Sequence, residues 1–404
     1  MDAGYFFFIL LIAMHIWTNY DSWCQKILAH NPIICQELSR YDIVTLMKYF
    51  NALNLISGVG PQKMRLLLNH FGNAENTWKA DLSELKAARI AEKLAEKIIF
   101  EKKKIDPDQE WERLMKEKIE MLDFDSPRYP SLLKEIPNPP FILYVKGEMD
   151  ILNSPMISIV GSRKYTNYGQ MAAKTFSRDL ARSGITVVSG MAIGIDSFAH
   201  RGALDAYGKT IAVLGNGLSD LSIYPRINFN LSREIISQGA LISEYPHGIS
   251  AGSFIFPARN RIIAGLSLGT LVVEAGEKSG TLITANLALD YNREVFAVPG
   301  SIFSQESLGS NELIKKGAKL AGNVKDILEE INLSGKEIEK PKATKNPENP
   351  REKILLDILS SDPLHIDNIV RLTKLETMAV SSALSMMEIK GWVKNIGGQN
   401  YIIT

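Results

Sequence analysis

ISIVGSRKYTNYG, residues 157–169, is a short apolar run that stops at a glycine and opens into basic and hydroxyl-bearing residues. A strand that ends this way in an alternating α/β chain leaves its turn at the edge of the sheet where ligands bind. Gly161 and Ser162 fall at that junction, and Arg163 follows in the turn itself, where a guanidinium can grip a phosphate with two parallel N–H donors. Lys164 adds a second cation beside it. The spacing is not G-x-G-x-x-G, so the dinucleotide signature and its ribose-binding acid are missing. An isolated arginine in such a turn is also consistent with an ordinary surface residue.

The same strand-to-helix design recurs downstream. SGMAIGIDSFAHRGAL, Ser189–Leu204, carries Gly190 and Gly194, which free the backbone to present N–H donors, and Asp196 stands where a helix N-cap is wanted. Asp196, Ser197 and His200 lie on consecutive helical turns with no nucleophile elbow or oxyanion site, so capping and packing explain them better than a catalytic triad. GTLVVEAGEKSGTLITANLA, Gly269–Ala288, places Ser279, Gly280 and Thr281 at a helix start able to offer hydroxyls and N–H groups to an anion. Between these, GNGLSDLSIYPRIN (Gly215–Asn228) brings Tyr224 close to Arg226. SFIFPARNRIIAG (Ser253–Gly265) gathers Phe254, Phe256, Arg259, Asn260 and Arg261. Arginines beside aromatic faces are the combination expected for unpaired bases on a phosphate backbone, the plainer reading being phenylalanines that anchor a loop.

Short apolar runs at Ile157–Val160, Thr186–Val188, Thr210–Leu214, Ala240–Ser243, Leu271–Val273 and Glu294–Val298 alternate with helical patterns. That alternation predicts an α/β domain over 151–325, a Rossmann-like, mostly parallel sheet with helices on both faces. Four glycine-rich turns at one edge exceed what a mononucleotide requires and together describe a groove.

Bulk properties narrow the partners. The formal net charge is +1 and 45% of residues are hydrophobic, so the chain is globular and a polyanion must meet a local patch. Residues 151–325 hold 17 Lys and Arg against 12 Asp and Glu, which puts the positive charge in the middle of the chain. Two cysteines, Cys24 and Cys35, make no disulfide scaffold or metal-ligand spacing, so a reducing, cytoplasmic setting without metal or cofactor is expected.

Upstream, LISGVGPQKMRLLLNHFG (Leu55–Gly72) reads as helix, hairpin, helix, with Gly58 and Gly60 in the turn and Pro61 opening the second helix. This predicts a helical, SAM or helix-hairpin-helix-like domain over 43–118, and a structural module without DNA contact is an equally open reading. The prolines of 119–150 predict an extended connector. Residues 326–350 read as a polar linker. Residues 351–404, helical through Lys390 and then turning at Gly397–Gly398, outline a winged helix. In 1–42 the apolar run Tyr5–Trp17 is too short to span a bilayer and lacks a basic flank, so it reads as a buried or mis-started extension, with membrane association the minor reading and no stable insertion expected.

GSRKYTNYG, SGMAIGIDSFAH, FPARNRIIAGLS, VVEAGEKSGTLITA and VFAVPG together resemble the DNA processing protein A family, also called DprA or Smf, almost continuously from about 157 to 320. The helix-hairpin-helix front and winged-helix tail agree with the layout of its longer members, whereas residues 1 to about 40 match nothing in its pattern. The resemblance implies single-stranded DNA binding, a homodimer formed through the Rossmann-like domain, and loading of the recombinase RecA onto incoming DNA in natural transformation. It carries DNA contact onto Arg163, the turn at Gly161 and Ser162, and the basic loops near Arg226 and Arg259. The competing enzyme reading is a nucleotide phosphoribohydrolase of the lysine-decarboxylase-like type, for which Gly269, Thr270 and Glu274 occupy a similar run but LSL replaces the paired glycines.

Overall fold

The computed structural model describes residues 47–249, 255–331, 349–360, 363–390, 392–395 and 397–403. The apolar run Tyr5–Trp17, both cysteines, Phe254 and linker residues 332–348 lie outside them. The chain divides into two units, Met1–Pro341 and Lys342–Thr404.

The first unit begins with helical residues 47–54 and a turn through Gly58 (φ 107°) into α1 (Pro61–Phe71), with Pro61 in the first turn where no N–H is needed. Met64 and Leu67 supply the buried face of α1. Helices α2 (Ala74–Lys79), α3 (Leu82–Ala87), α4 (Glu92–Lys102) and α5 (Pro107–Lys116) follow. Asn73 caps α2, an Asp81/Glu84 capping box starts α3, and Asp106 caps α5, each satisfying backbone donors that a helix start leaves open. Their core, including Leu53, Ile56, Leu85, Ile98 and Leu114, is continuous with Phe141, Tyr144 and Leu241, so this helical region packs on the sheet.

The span 119–150 corrects the expectation of a connector. It holds β1 (Glu120–Asp123), α6 (Ser131–Lys134) and β2 (Ile142–Gly147), and both strands belong to the main sheet. Pro127, Pro130, Pro137, Pro139 and Pro140 sit between the strands, leaving ILYVKG free to donate backbone N–H groups into a ladder.

The alternating core then runs β3 (Met156–Val160), α7 (Asn167–Arg182), β4 (Thr186–Ser189), α8 (Ile195–Asp205), β5 (Thr210–Leu214), α9 (Phe229–Gln238) and β6 (Ala240–Ser243). It continues through α10 (Ile255–Leu266), β7 (Gly269–Val272), α11 (Thr281–Asp290), β8 (Glu294–Ala297), α12 (Leu308–Lys315), β9 (Lys319–Leu320) and α13 (Val324–Glu330). The strand order is β1-β2-β6-β5-β4-β3-β7-β8-β9. From β6 to β9 every pairing is parallel, and β2 joins β6 antiparallel with Tyr144 opposite Ser243. One face is covered by α7, α8 and α13, whose Phe176, Ala199 and Ile327 share a core with Ile159 and Leu271; the other by α10 and α11, through Ile262 and Ala285. After β3 the chain winds outward to β4 and β5, and later resumes on the other side at β7. The β3/β7 gap is therefore the topological switch point, where a doubly wound sheet opens a crevice at its carboxyl edge.

The second unit contains α14 (Pro350–Ile358), β10 (Leu364–His365), α15 (Ile366–Thr373), α16 (Thr377–Ile389), β11 (Val393–Asn395) and β12 (Asn400–Ile403), with β12 between β10 and β11. Three helices enclose Leu355, Ile369, Leu384 and Met387, and Gly397 (φ 107°) and Gly398 (φ 57°) turn the hairpin, as a winged helix requires. No helix among the described residues is long and apolar enough to cross a membrane.

Candidate functional site

The turn after β3 is clamped from both sides. The Ser162 amide donates to the Glu274 carbonyl at 2.8 Å, the Ile195 amide donates to the Ser162 carbonyl at 3.3 Å, and a Cβ on Gly161 would lie 2.6 Å from the Ile195 side chain. The Ser162 hydroxyl donates to Glu306 Oε2 (2.9 Å) and accepts from the Lys164 amide (3.0 Å), so it is engaged in holding the turn. Across the switch point, the buried carboxylate of Glu274 accepts from the Thr166 amide (3.0 Å) and hydroxyl (2.5 Å), while Thr166 caps α7 by accepting from Gly169. A Cβ on Gly169 would fall 2.1 Å from Glu274, which is why that position closes against the carboxylate. What the clamp leaves outside is Arg163 and Lys164, both exposed and without an ion pair among the described residues.

Arg163 lies over an aromatic surface. Its guanidinium carbon is 5.4 Å from the centre of the Phe256 ring, and Phe256 in turn meets Tyr224, 47% exposed, at 5.9 Å. The β5–α9 loop that carries Tyr224 is tied to the β4 turn by Asn228 Nδ2, which donates to the Met191 carbonyl and to Ser197 Oγ, both at 2.9 Å. Arg226 is exposed on this loop, its Nη1 donating to the Asp220 carbonyl at 2.6 Å and its charge 4.6 Å from the Phe229 ring.

Other basic residues singled out from the sequence turn inward. Arg259 is 5% exposed, and its Nη1 donates to the Val213 carbonyl at 2.7 Å beneath Gly190, where a Cβ would collide with the guanidinium. Burial pulls the Arg259 pKa down, opposed by the charge of Asp196, and the nearby Arg163 charge pulls it down further. Arg261 reaches the other way, donating to both carboxylate oxygens of Glu244 at 2.5 and 2.6 Å. Asn260 between them is half-buried. Two positions apart on α10, both arginines find acceptors on the sheet, so neither guanidinium is a free surface charge.

Gly194, with φ 96°, is the N-cap of α8, correcting the N-cap expected at Asp196. A Cβ on Gly194 would sit 2.5 Å from the Ser162 carbonyl, so this glycine allows the β3 and β4 turns to touch. Asp196 is buried in the first turn of α8, accepting from the Ala192 amide; burial raises its pKa against the pull of Arg259. His200 is fully buried with Nδ1 2.7 Å from Thr210 Oγ1, and burial pushes its imidazole down to about 3. Neutral and enclosed, it belongs to the packing. At the start of α11, Ser279 Oγ accepts from the Thr281 amide (3.2 Å) and donates to its hydroxyl (2.9 Å), and Gly280 faces open space.

In the sequence, Glu274 stands out only for its place in the enzyme-like run, and Thr166 and Glu306 carry no mark of a role. The one available signal was an acid directly after the apolar run LVV, since a buried carboxylate demands donors.

Comparison with known proteins agrees with this architecture. Residues 120–332 match the family model described as DNA recombination-mediator protein A, and residues 339–399 match the DprA winged helix domain. The chain is 38% identical over 392 residues to Protein Smf of Synechocystis, covering 87% of this chain and 98% of that one. It is 42% identical over 214 residues to DNA processing protein DprA of Bacillus subtilis, covering 53% of this chain and 71% of the relative. The X-ray structure of DNA processing protein A from Streptococcus pneumoniae superposes with a TM-score of 0.62 at 35% identity, over 70% of this chain and 97% of that chain. With the family model spanning more than half of the chain, and a relative matched over nearly its whole length, the protein belongs to the DNA processing protein A (DprA/Smf) family.

Proposed function

We propose that the chain is a single-stranded DNA-binding recombination mediator that, as a homodimer, protects incoming DNA and loads RecA during natural transformation. The observation that carries the DNA-binding part is the exposed Arg163, without an ion pair among the described residues, on a rigidly clamped turn and lying on Phe256 beside Tyr224. A fixed guanidinium positions a phosphate, and adjacent aromatic faces stack on unpaired bases without regard to sequence. Lys164 and Arg226 extend the cationic track, and Ser279, Gly280 and Thr281 border it on the β7 side. Within this reading Gly161, Ser162, Gly190, Gly194 and Arg259 shape the turn, and Asn260 and Arg261 belong to the helix that presents Phe256.

Fluorescence anisotropy with a labelled oligothymidylate, titrated over salt, tests it. Arg163→Ala should weaken binding by about tenfold or more and reduce the slope of log affinity against log salt by about 0.7, the value for one lost phosphate contact on a single strand. Wild-type affinity and slope in that variant would overturn the reading.

The phosphoribohydrolase alternative needs a free carboxylate, whereas Glu274 is occupied by Thr166 and Thr270 is buried with its hydroxyl 2.7 Å from Ser158 Oγ. Free base released at turnover rates from nucleoside monophosphates would favour it instead. In the winged helix, α16 carries no Lys or Arg and exposes Met378 (83%) and Met386 (50%), which supports contact with protein over reading of duplex DNA.

A further inference from the structure

The loop from β8 to α12, which sends Glu306 to the clamped turn, ends at the same switch point. Its base is pinned by Asn311, which accepts from the Gly300 amide and donates to the Gly300 carbonyl, both at 3.1 Å, and by Tyr168, whose hydroxyl donates to the Pro299 carbonyl at 2.7 Å. Its far end is pinned by Glu306, which accepts from Ser162, and by the Gly309 amide, which donates to the Ala275 carbonyl at 2.7 Å. Within the loop, the Ser304 amide donates to the Ser301 carbonyl at 3.0 Å, closing a tight turn. The turn projects Ile302 and Phe303 outward at 74% and 90% exposure, and Phe303 has no ring partner among the described residues. A phenylalanine held out on a rigid loop forgoes the burial that would otherwise stabilise it.

The strand order locates the base of this loop. The Tyr224 loop follows β5 and the Phe303 loop follows β8, each two strands away from β3, which carries Arg163. At roughly 4.8 Å per strand spacing, the two loops leave the sheet about 10 Å to either side of the strand that carries the arginine. The Ser162–Glu306 bond fixes the second of them to the Arg163 turn directly.

We infer that Phe303 is a base-stacking platform for the same single strand whose phosphate Arg163 holds, so that the strand crosses the sheet edge from Tyr224 and Phe256 to Phe303. This rests on the single-strand reading above. The occupant is a nucleobase because the loop is bonded through Glu306 to the turn that carries the exposed cations Arg163 and Lys164, which attract a polyanion.

Two variants of the full chain test the inference alongside Arg163→Ala. Phe303→Ala should bind oligothymidylate about tenfold more weakly, equivalent to about 1.4 kcal/mol, with unchanged melting temperature and sedimentation. Phe303→Trp should retain binding and show fluorescence quenching on saturation with the oligonucleotide, measured above the background of the five native tryptophans. Wild-type affinity in Phe303→Ala together with an unaltered Phe303→Trp spectrum overturns the inference, and if Arg163→Ala still loses affinity, the single-strand reading survives it. A shift in sedimentation with no change in affinity would instead make Phe303 a contact between copies of the chain and also overturn the inference.

Discussion

Gly190→Ala separates glycines that the fold needs from glycines that a ligand needs. The backbone of Gly190 lies outside the left-handed region, so alanine meets no backbone strain there; its Cβ would lie 1.9 Å from Arg259 Nη1 and 2.5 Å from the guanidinium carbon. The guanidinium must therefore move, and it is buried, with Nη1 bonded to the Val213 carbonyl at 2.7 Å and its charge facing Asp196. Losing a hydrogen bond from a buried charge costs about 1.5–3 kcal/mol, and crowding a packed site costs about 1–3 kcal/mol more. The reduced freedom of the unfolded chain returns about 0.4–1 kcal/mol. A net loss of about 2–5 kcal/mol corresponds to a fall of about 4–12 °C in the melting temperature of the larger unit, read by calorimetry or circular dichroism. Gly280→Ala is the matched control, because φ there is −60° and a Cβ would meet nothing within 4 Å. It should be neutral or stabilising by about 0.4–1 kcal/mol. Any accompanying loss of oligonucleotide affinity would mark Gly280 as a point where a phosphate closely approaches the backbone. If Gly190→Ala melted within about 1 °C of wild type, the seating of Arg259 beneath that glycine would be refuted as a source of stability.

Two other perturbations probe the same crevice. Glu274→Gln keeps the shape but puts an NH2 group where a carboxylate oxygen accepts from Thr166, so stability should fall by about 1–3 kcal/mol and the turn carrying Arg163 should loosen, seen as faster amide exchange over residues 161–167 together with weaker oligonucleotide binding. Unchanged exchange would remove Glu274 from the clamp. Acidification tests His200: its folded pKa, pushed down to about 3, lies below the ordinary 6.5, so the unfolded state binds the extra proton and stability present above 6.5 is lost as pH falls toward 3. Between pH 7 and pH 4.5 this amounts to about 2–3 kcal/mol. Asp196 and Glu244, whose pKa values are raised by burial, contribute in the opposite direction, so the measurement is the difference between wild type and His200→Gln in urea unfolding at the two pH values. Equal losses in both proteins would show that His200 does not enter the folded state neutral.

Local pattern alone determined much of the core. Thr210–Leu214 and Ala240–Ser243 are strands at the limits their apolar runs indicated, and the runs around Ile157 and Leu271 end in turns at the expected places, because a strand buried on both faces must be continuously apolar and its turn must contain residues tolerant of close approach. The winged helix was similarly legible, from helical spacing followed by Gly397–Gly398. Tertiary structure decided what local pattern does not encode. Pairing of Ile142–Gly147 with Ala240–Ser243 joins segments about 100 residues apart, and composition between prolines says nothing about a partner strand. The orientation of charged side chains was the other blind spot. Arg163, Arg259 and Arg261 look alike in sequence, yet the acceptors that draw two of them inward, the Val213 carbonyl and the Glu244 carboxylate, belong to other elements and meet them only when α10 docks on the sheet. Arg163 remains outside because the neighbouring turn is held by Glu274 and Glu306, more than 100 residues downstream, and neither carboxylate is left to pair with it. An arginine's reach is a property of its own side chain, whereas its availability depends on which buried acceptors the completed fold supplies.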